Sequence, residues 1–155
     1  MSEIDISACP QQPRIAYLVG WLDRQLRKRI ADAVAPFGLT TPQFTALGAL
    51  KTNKRLSNAR LAELSFVTPQ ATGEMVKTLE NKGLVYREQS PAHGRIVWIR
   101  LTEAGEDLIR RCDAEVERVE QQMLAEIDPD FRPQLARALI QCSRSLSHGP
   151  MGRSS

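Results

Sequence analysis

Residues 61–87 read LAELSFVTPQATGEMVKTLENKGLVYR, and the order of signals inside this stretch decides the fold. Leu61 and Leu64 stand three apart, the spacing of one helical face. That helix starts at Ser57, whose hydroxyl can cap free amides, and Leu56 and Leu61 are spaced as a hydrophobic staple around the start. It ends near Ser65. Thr68-Pro69 then supply a cap and a first-turn proline, and Thr72, Met75, Val76 and Leu79 fall on one side of the next helix. Asn81-Lys82-Gly83 closes it. Two strand-like runs follow, residues 84–89 and 95–101, joined by Ser90-Pro91-Ala92-His93-Gly94, which has turn chemistry. Helix, tight turn, helix and hairpin make a winged helix-turn-helix, an architecture that reads the major groove of DNA.

Working outward, the flanks are helical. From Arg14 to about Ala35 the apolar residues Ile15, Leu18, Leu22, Leu26, Ile30 and Val34 recur every three or four positions, and Gly38 supplies the stop. Thr41-Pro42 is expected to cap a second helix with Phe44, Leu47 and Leu50 inward. Beyond the hairpin, Thr102 caps a long helix with Leu108, Cys112, Val116, Val119, Met123 and Ile127 on its stripe. Asp128-Pro129 is expected to open a last helix whose stripe is Phe131, Leu135, Leu139, Cys142 and Leu146. The fold class expected is mainly α with a small β-hairpin wing.

The second helix of the motif carries the candidate reading surface. Opposite its core stripe lie Gln70, Gly73, Glu74, Lys77 and Asn81, with Pro69, Ala71 and Thr78 on the flanks. An ordinary surface helix crowds that face with long charged side chains; this one has an amide, a glycine and a lysine near its start. Gln70 can pair with adenine and Ala71 can meet a thymine methyl, while Lys77 suits phosphate or guanine. For Gly73 two readings stand: its missing side chain lets the helix approach base edges, or it is a tolerated helical glycine that costs about 1 kcal/mol against alanine. Ser57 is a phosphate-contact candidate at a helix start, with Arg60 and Lys54 secondary. His93, Gly94 and Arg95 form the hairpin tip, where an arginine either enters the narrow minor groove or is a solvated turn charge.

Charge supports a polyanion-facing middle. The chain of 155 residues carries 21 Lys and Arg against 18 Asp and Glu, a net of only +3. Residues 50–101 alone carry nine against four, a net of +5, while residues 102–155 carry seven against ten. With 42% hydrophobic residues the chain is too apolar for a disordered tail, and its longest apolar run, residues 15–22, is far too short for a membrane span. Three scattered cysteines (Cys9, Cys112, Cys142) write neither a disulfide framework nor a zinc site, so a reducing cytoplasm is the expected home. Two histidines (His93 and His148), no carboxylate pair and no phosphate loop argue against an enzyme, and no metal or cofactor is expected.

The first helix points to self-association. Ile15, Leu18 and Leu22 lie on one face and Tyr17 and Trp21 on the other, so the helix is apolar all round and needs cover on both sides. A second copy supplies that cover, and its two-fold symmetry predicts a pseudo-palindromic operator with half-sites about one DNA turn apart.

On LTTPQFTAL (residues 39–47), the stretch 61–87 quoted above, and a wing arginine followed by LTEAG (residues 101–105), the sequence resembles the MarR family of transcriptional regulators across about residues 14–147. The resemblance implies a homodimer whose first and last two helices interlock, holding two winged domains on one face of double-stranded DNA. It also implies a repressor or activator relieved by a small phenolic or lipophilic effector. The expected organisation is a flexible arm (1–13), a dimerisation helix (14–37), the DNA-binding domain (38–101), dimerisation helices (102–147) and a disordered tail (148–155). In the family the effector lies between the dimer helices and the winged domain, which singles out Tyr17, Trp21 and Phe44; plain packing in the dimer core is the other reading of these aromatics. One departure is clear: family wings usually carry an acid two positions before the wing arginine, and here that position holds His93. Two alternatives are kept. A thiol redox sensor is disfavoured because Cys112 and Cys142 fall on apolar stripes and the hydroperoxide-sensing branch has its cysteine where Arg14 to Leu18 stand here. A winged-helix interaction module that does not bind DNA is disfavoured by the +5 middle segment.

Overall fold

Thr68 opens the helix on which the candidate surface depends, and its side chain does what a cap must. In the computed structural model, which describes residues 13–92 and 94–147, Thr68 Oγ1 accepts a hydrogen bond from Ala71 N at 3.2 Å, starting α4 (Pro69–Asn81). The same logic starts α3 (Asn58–Ser65), where Ser57 Oγ accepts from Arg60 N at 3.3 Å. Gly83, at φ +72, turns the chain out of α4 and into the wing. The wing pairs β1 (Val85–Gln89) antiparallel with β2 (Val97–Leu101), Val85 opposite Leu101 and Gln89 opposite Val97. Arg95 therefore lies in the turn, two residues ahead of the strand expected to begin with it.

Around this centre lie α1 (Ile15–Val34) and α2 (Thr41–Asn53) on one side in sequence, α5 (Glu103–Met123) and α6 (Arg132–Ser147) on the other. A short 3-10 turn, Ala35–Phe37, ends at Gly38 with φ +72. The cap of α2 is Thr40, one residue before the Thr41 expected: Thr40 Oγ1 accepts from Gln43 N, and Gln43 Oε1 accepts from Thr40 N at 3.0 Å. Counting three residues onward from Thr40 reaches Gln43, and this reciprocal pair selects that threonine.

The described residues divide into two units, one running through Val119 and one from Glu120. In the first, the core gathers Val34, Leu39, Ala46, Leu47, Leu50, Leu56, Leu61, Val76, Leu79, Leu84, Val85, Ile99, Ile109 and Cys112. Ile109 sits deeper in this core than Leu108 of the expected stripe, which only packs against it. The start of α5 is fastened to the wing entrance. Thr102 N donates to Leu84 O at 3.0 Å, Thr102 Oγ1 donates to Gly83 O at 2.6 Å, and Gly105 N donates to Thr102 Oγ1 at 3.0 Å.

In the second unit α5 ends at Met123, before the Ile127 of the expected stripe. Asp128 does not start the last helix: its Oδ1 accepts from Asp130 N at 2.9 Å in a local turn, and α6 begins at Arg132. Arg132 Nη2 donates to Leu124 O at 3.0 Å, tying the turn together. Cys142, expected to be buried, is exposed, because no residue of α6 is buried within the single chain. The arm (1–12), His93 and the tail (148–155), and with them Cys9 and His148, lie outside the described residues.

Candidate nucleic-acid interface

The first turn of α4 is held from two sides. Thr68 caps it, and Asn58 on α3 reaches across the turn, its Nδ2 donating to Pro69 O at 3.0 Å. Thr72 is fully buried, and its hydroxyl donates to Thr68 O at 2.8 Å, so this polar core residue is satisfied within its own helix. Anchoring the inward residues leaves the outward ones to solvent: Pro69, Gln70, Glu74, Lys77 and Thr78 are exposed and Ala71 is half-buried. The Thr78 hydroxyl donates to Glu74 O at 3.1 Å, which leaves its oxygen lone pairs outward.

Gly73 is half-buried on the side of α4 that faces α3 and the hairpin. With Asn58, Arg87, Val97 and Ile99 it lines a cavity of about 240 Å³. A Cβ added to Gly73 meets no atom within 4 Å, so packing inside the chain does not demand glycine there.

The nine cations of the basic segment are sorted by their partners. Lys51 bonds Asp113 at 2.7 Å, Arg60 bonds Glu63 at 2.6 Å, Arg87 bonds Glu80 at 3.1 Å and Arg100 bonds Glu88 at 3.1 Å. Lys82 Nζ donates to Gly38 O at 2.7 Å. The hydrogen bond to Glu88 raises the Arg100 pKa above its ordinary value, with Tyr86 and the charge of Glu88 adding to it. Among the described residues no ion pair engages Lys54, Arg55, Lys77 or Arg95. Arg60, expected as a phosphate contact, is thus held by an acid one turn along its own helix. At the wing tip Gly94 O accepts from Gln89 Nε2 at 2.8 Å, and Arg95 beside it is exposed.

None of the expected effector residues lines the cavity behind α4. Phe44 packs half-buried against the core, Trp21 is half-buried and Tyr17 is 56% exposed. Among the described residues no helix is long and apolar enough to cross a membrane, and no cluster of His, Cys, Asp and Glu could hold a metal ion.

Sequence reasoning missed three contributors. Asn58 bonds across a turn, which no periodicity marks. Phe66 ends α3 in the left-handed region, φ +57, and is 90% exposed. Arg55 lies over the Trp98 ring, 4.8 Å from its centroid. Only Phe66 left a signal: it occupies the place after a helix where glycine or asparagine is usual.

Two helices joined by a short turn, a capped and exposed second helix and a hairpin beside it define a winged helix-turn-helix protein. Comparison with known proteins narrows the class. A family model described as MarR family matches residues 37–96. The HTH-type transcriptional repressor Rv2887 of Mycobacterium tuberculosis is 34% identical over 125 residues, spanning 81% of this chain and 90% of that protein. The crystal structure of the M. tuberculosis MarR family protein Rv2887 in complex with p-aminosalicylic acid matches with a TM-score of 0.71 and 31% identity, covering 84% of this chain and 99% of that one. The complex of the same protein with DNA matches with a TM-score of 0.69 and 30% identity, covering 84% and 98%. The chain belongs to the MarR family, whose members are transcriptional regulators and not enzymes.

Proposed function

We propose that this protein is a homodimeric, sequence-specific DNA-binding repressor that a small aromatic or lipophilic ligand releases from its operator. The observation that carries the reading is the outer face of α4, capped by Thr68, braced by Asn58 and lightly decorated by Gln70, Glu74 and Lys77. In this reading Gln70 and Ala71 meet base edges, Pro69, Gly73, Glu74 and Thr78 shape the approach, and Lys77 takes a phosphate or guanine. Ser57, Arg60 and the wing residues His93, Gly94 and Arg95 flank them. The complex of the related Rv2887 with DNA supports DNA as the partner.

Self-association is supported by apolar surface on two helices taken separately. On α1, Ile15 is 75% exposed, and Tyr17, Val19 and Leu22 are exposed beside it; Phe131 just before α6, and Leu139, Ile140 and Leu146 on it, are exposed. Single chains rarely leave so much large apolar surface wet. Residues 14–37 and 102–147 are accordingly assigned to dimerisation and 38–101 to DNA. Effector release is supported by the complex of Rv2887 with p-aminosalicylic acid. Tyr17, Trp21 and Phe44 are the proposed ligand aromatics.

A duplex selected by the protein from a random-sequence pool tests the whole. Affinity is expected to fall linearly in log K against log salt. Gln70→Ala should relax the preference at one base pair, and Lys77→Ala should lower the salt slope by about one per protomer. Salicylate should release the duplex, and light scattering should give the dimer mass. A salt-independent affinity would leave only the interaction module, and release by peroxide that a triple Cys→Ser variant abolishes would replace ligand sensing with thiol sensing.

A further inference from the structure

The wing has a third strand one residue pair long. Leu56 N donates to Ile99 O at 3.1 Å and Ile99 N donates to Leu56 O at 2.8 Å, laying the loop before α3 alongside β2. Leu56 and Ile99 both enter the core. Strand alternation then puts their neighbours Arg55, Trp98 and Arg100 on the outer face. There the Arg55 guanidinium lies over the Trp98 indole at 4.8 Å.

Two details make this stack more than a resting place for a long side chain. Glu88, the cross-strand partner of Trp98, accepts from Arg100 Nη1 at 3.1 Å, and among the described residues no ion pair engages Arg55. Among the described residues no hydrogen bond or ion pair engages the guanidinium N–H donors of Arg55, and a cation over a ring leaves such donors free for a planar anion. An ion pair would have consumed those donors. Arg55 stands two residues before Ser57 and next to Lys54, which has no ion pair among the described residues.

We propose that Arg55, seated over Trp98, grips a phosphate of the bound duplex, with Trp98 as its positioning residue. The proposal rests on the DNA-binding reading above. The planar fork matches two phosphate oxygens, and such a contact fixes register without selecting bases. The stack removes from Arg55 much of the freedom that binding would otherwise have to remove.

The test is a salt titration of Arg55→Ala, Arg55→Lys, Trp98→Ala and Trp98→Phe on the selected duplex and a scrambled one, with melting curves for each variant. Arg55→Ala should weaken both duplexes by about three- to tenfold per protomer and lower the log–log slope by about one. Trp98→Ala should weaken binding by about two- to fivefold with the slope unchanged, since the charge remains. Trp98→Phe, which keeps a ring, should restore affinity, and Arg55→Lys should keep the slope while losing the stacking gain. Should Trp98→Ala fail to fold, Arg55→Ala and Trp98→Phe still decide. A wild type with a steep slope that Arg55→Ala leaves unchanged overturns the proposal; a flat wild-type slope overturns the DNA-binding reading itself.

Discussion

Replacing Gly105 by alanine should damage this protein more than its position in the first turn of a helix suggests. A Cβ at Gly105 would stand 3.0 Å from the Leu84 carbonyl carbon and 3.3 Å from Leu101 Cδ2, and closer still to the Leu84 carbonyl oxygen. Carbon–oxygen contacts settle at about 3.3–3.6 Å, so α5 and the wing entrance must part by about 1 Å. Neither side yields easily, because the oxygen is backbone and already accepts from Thr102 N. Overpacking strain of about 1–3 kcal/mol is joined by about 1 kcal/mol for each weakened hydrogen bond at Thr102. Alanine's better helix propensity returns about 1 kcal/mol. The net loss is about 2–4 kcal/mol, a fall in Tm of roughly 5–15 °C for a chain of this size. Thermal unfolding followed by circular dichroism, at one fixed protein concentration so that self-association cannot move the Tm, measures the shift. A Tm equal to or above that of the wild type would refute the clash.

Gly73→Ala is the contrasting case: with nothing within 4 Å of the added methyl, which would enter the cavity behind α4, stability should rise by about 1 kcal/mol in urea unfolding, and a fall would show that the cavity cannot take a methyl. Phe66→Gly should stabilise by about 0.5–1 kcal/mol, since a left-handed residue with an exposed ring gains more from lost backbone strain than the unfolded chain gains in freedom; an unchanged denaturation midpoint would count against it. Ser65→Ala should be neutral or stabilising by about 1 kcal/mol, because its buried hydroxyl has no hydrogen-bond partner, and a destabilised variant would show a bond at that oxygen. Burial, helped by the charge of Asp113, pushes the Cys112 thiol up. The folded state therefore keeps its proton where the unfolded chain loses it. The contribution is complete below the free-thiol value near 8.5 and lost as pH rises from there through the raised folded-state value; the urea midpoint should fall above the free-thiol value in the wild type and fall less in Cys112→Ala.

What the sequence made legible follows from how local each cause is. The reading helix was bounded correctly because Thr68, Pro69 and Gly83 act on their own neighbours. Asp128 shows the limit of local logic: the same side chain serves a helix cap or a two-residue turn, and the turn was chosen. The stripe on α5 continued to Ile127 after the helix had stopped, since apolar spacing marks what seeks cover and not where hydrogen bonding ends. Cys142 makes the same point, lying on an apolar stripe that its own chain leaves exposed. The Leu-Thr-x-x-Gly pattern was recognisable as a family trait, but its reason, the close approach of Gly105 to Leu84, needed three dimensions. Within the candidate interface the residues of α4 were visible as one face of a helix. The bracing by Asn58 and the Arg55–Trp98 stack were not, because each joins segments that have no periodic relation.

The sorting of the basic segment has a bearing on how quickly such a protein could find its target. Five of its nine cations are held by partners within the chain, which leaves four per protomer for a polyanion. A dimer on DNA would then neutralise on the order of eight phosphates, enough for affinity to drop by about 10³–10⁵ between 50 and 200 mM salt. Had all nine been available, random DNA would hold the protein in long, unproductive pauses. With five of them paired inside the chain, residence on the wrong sequence would be the shorter, and a search for the operator the faster.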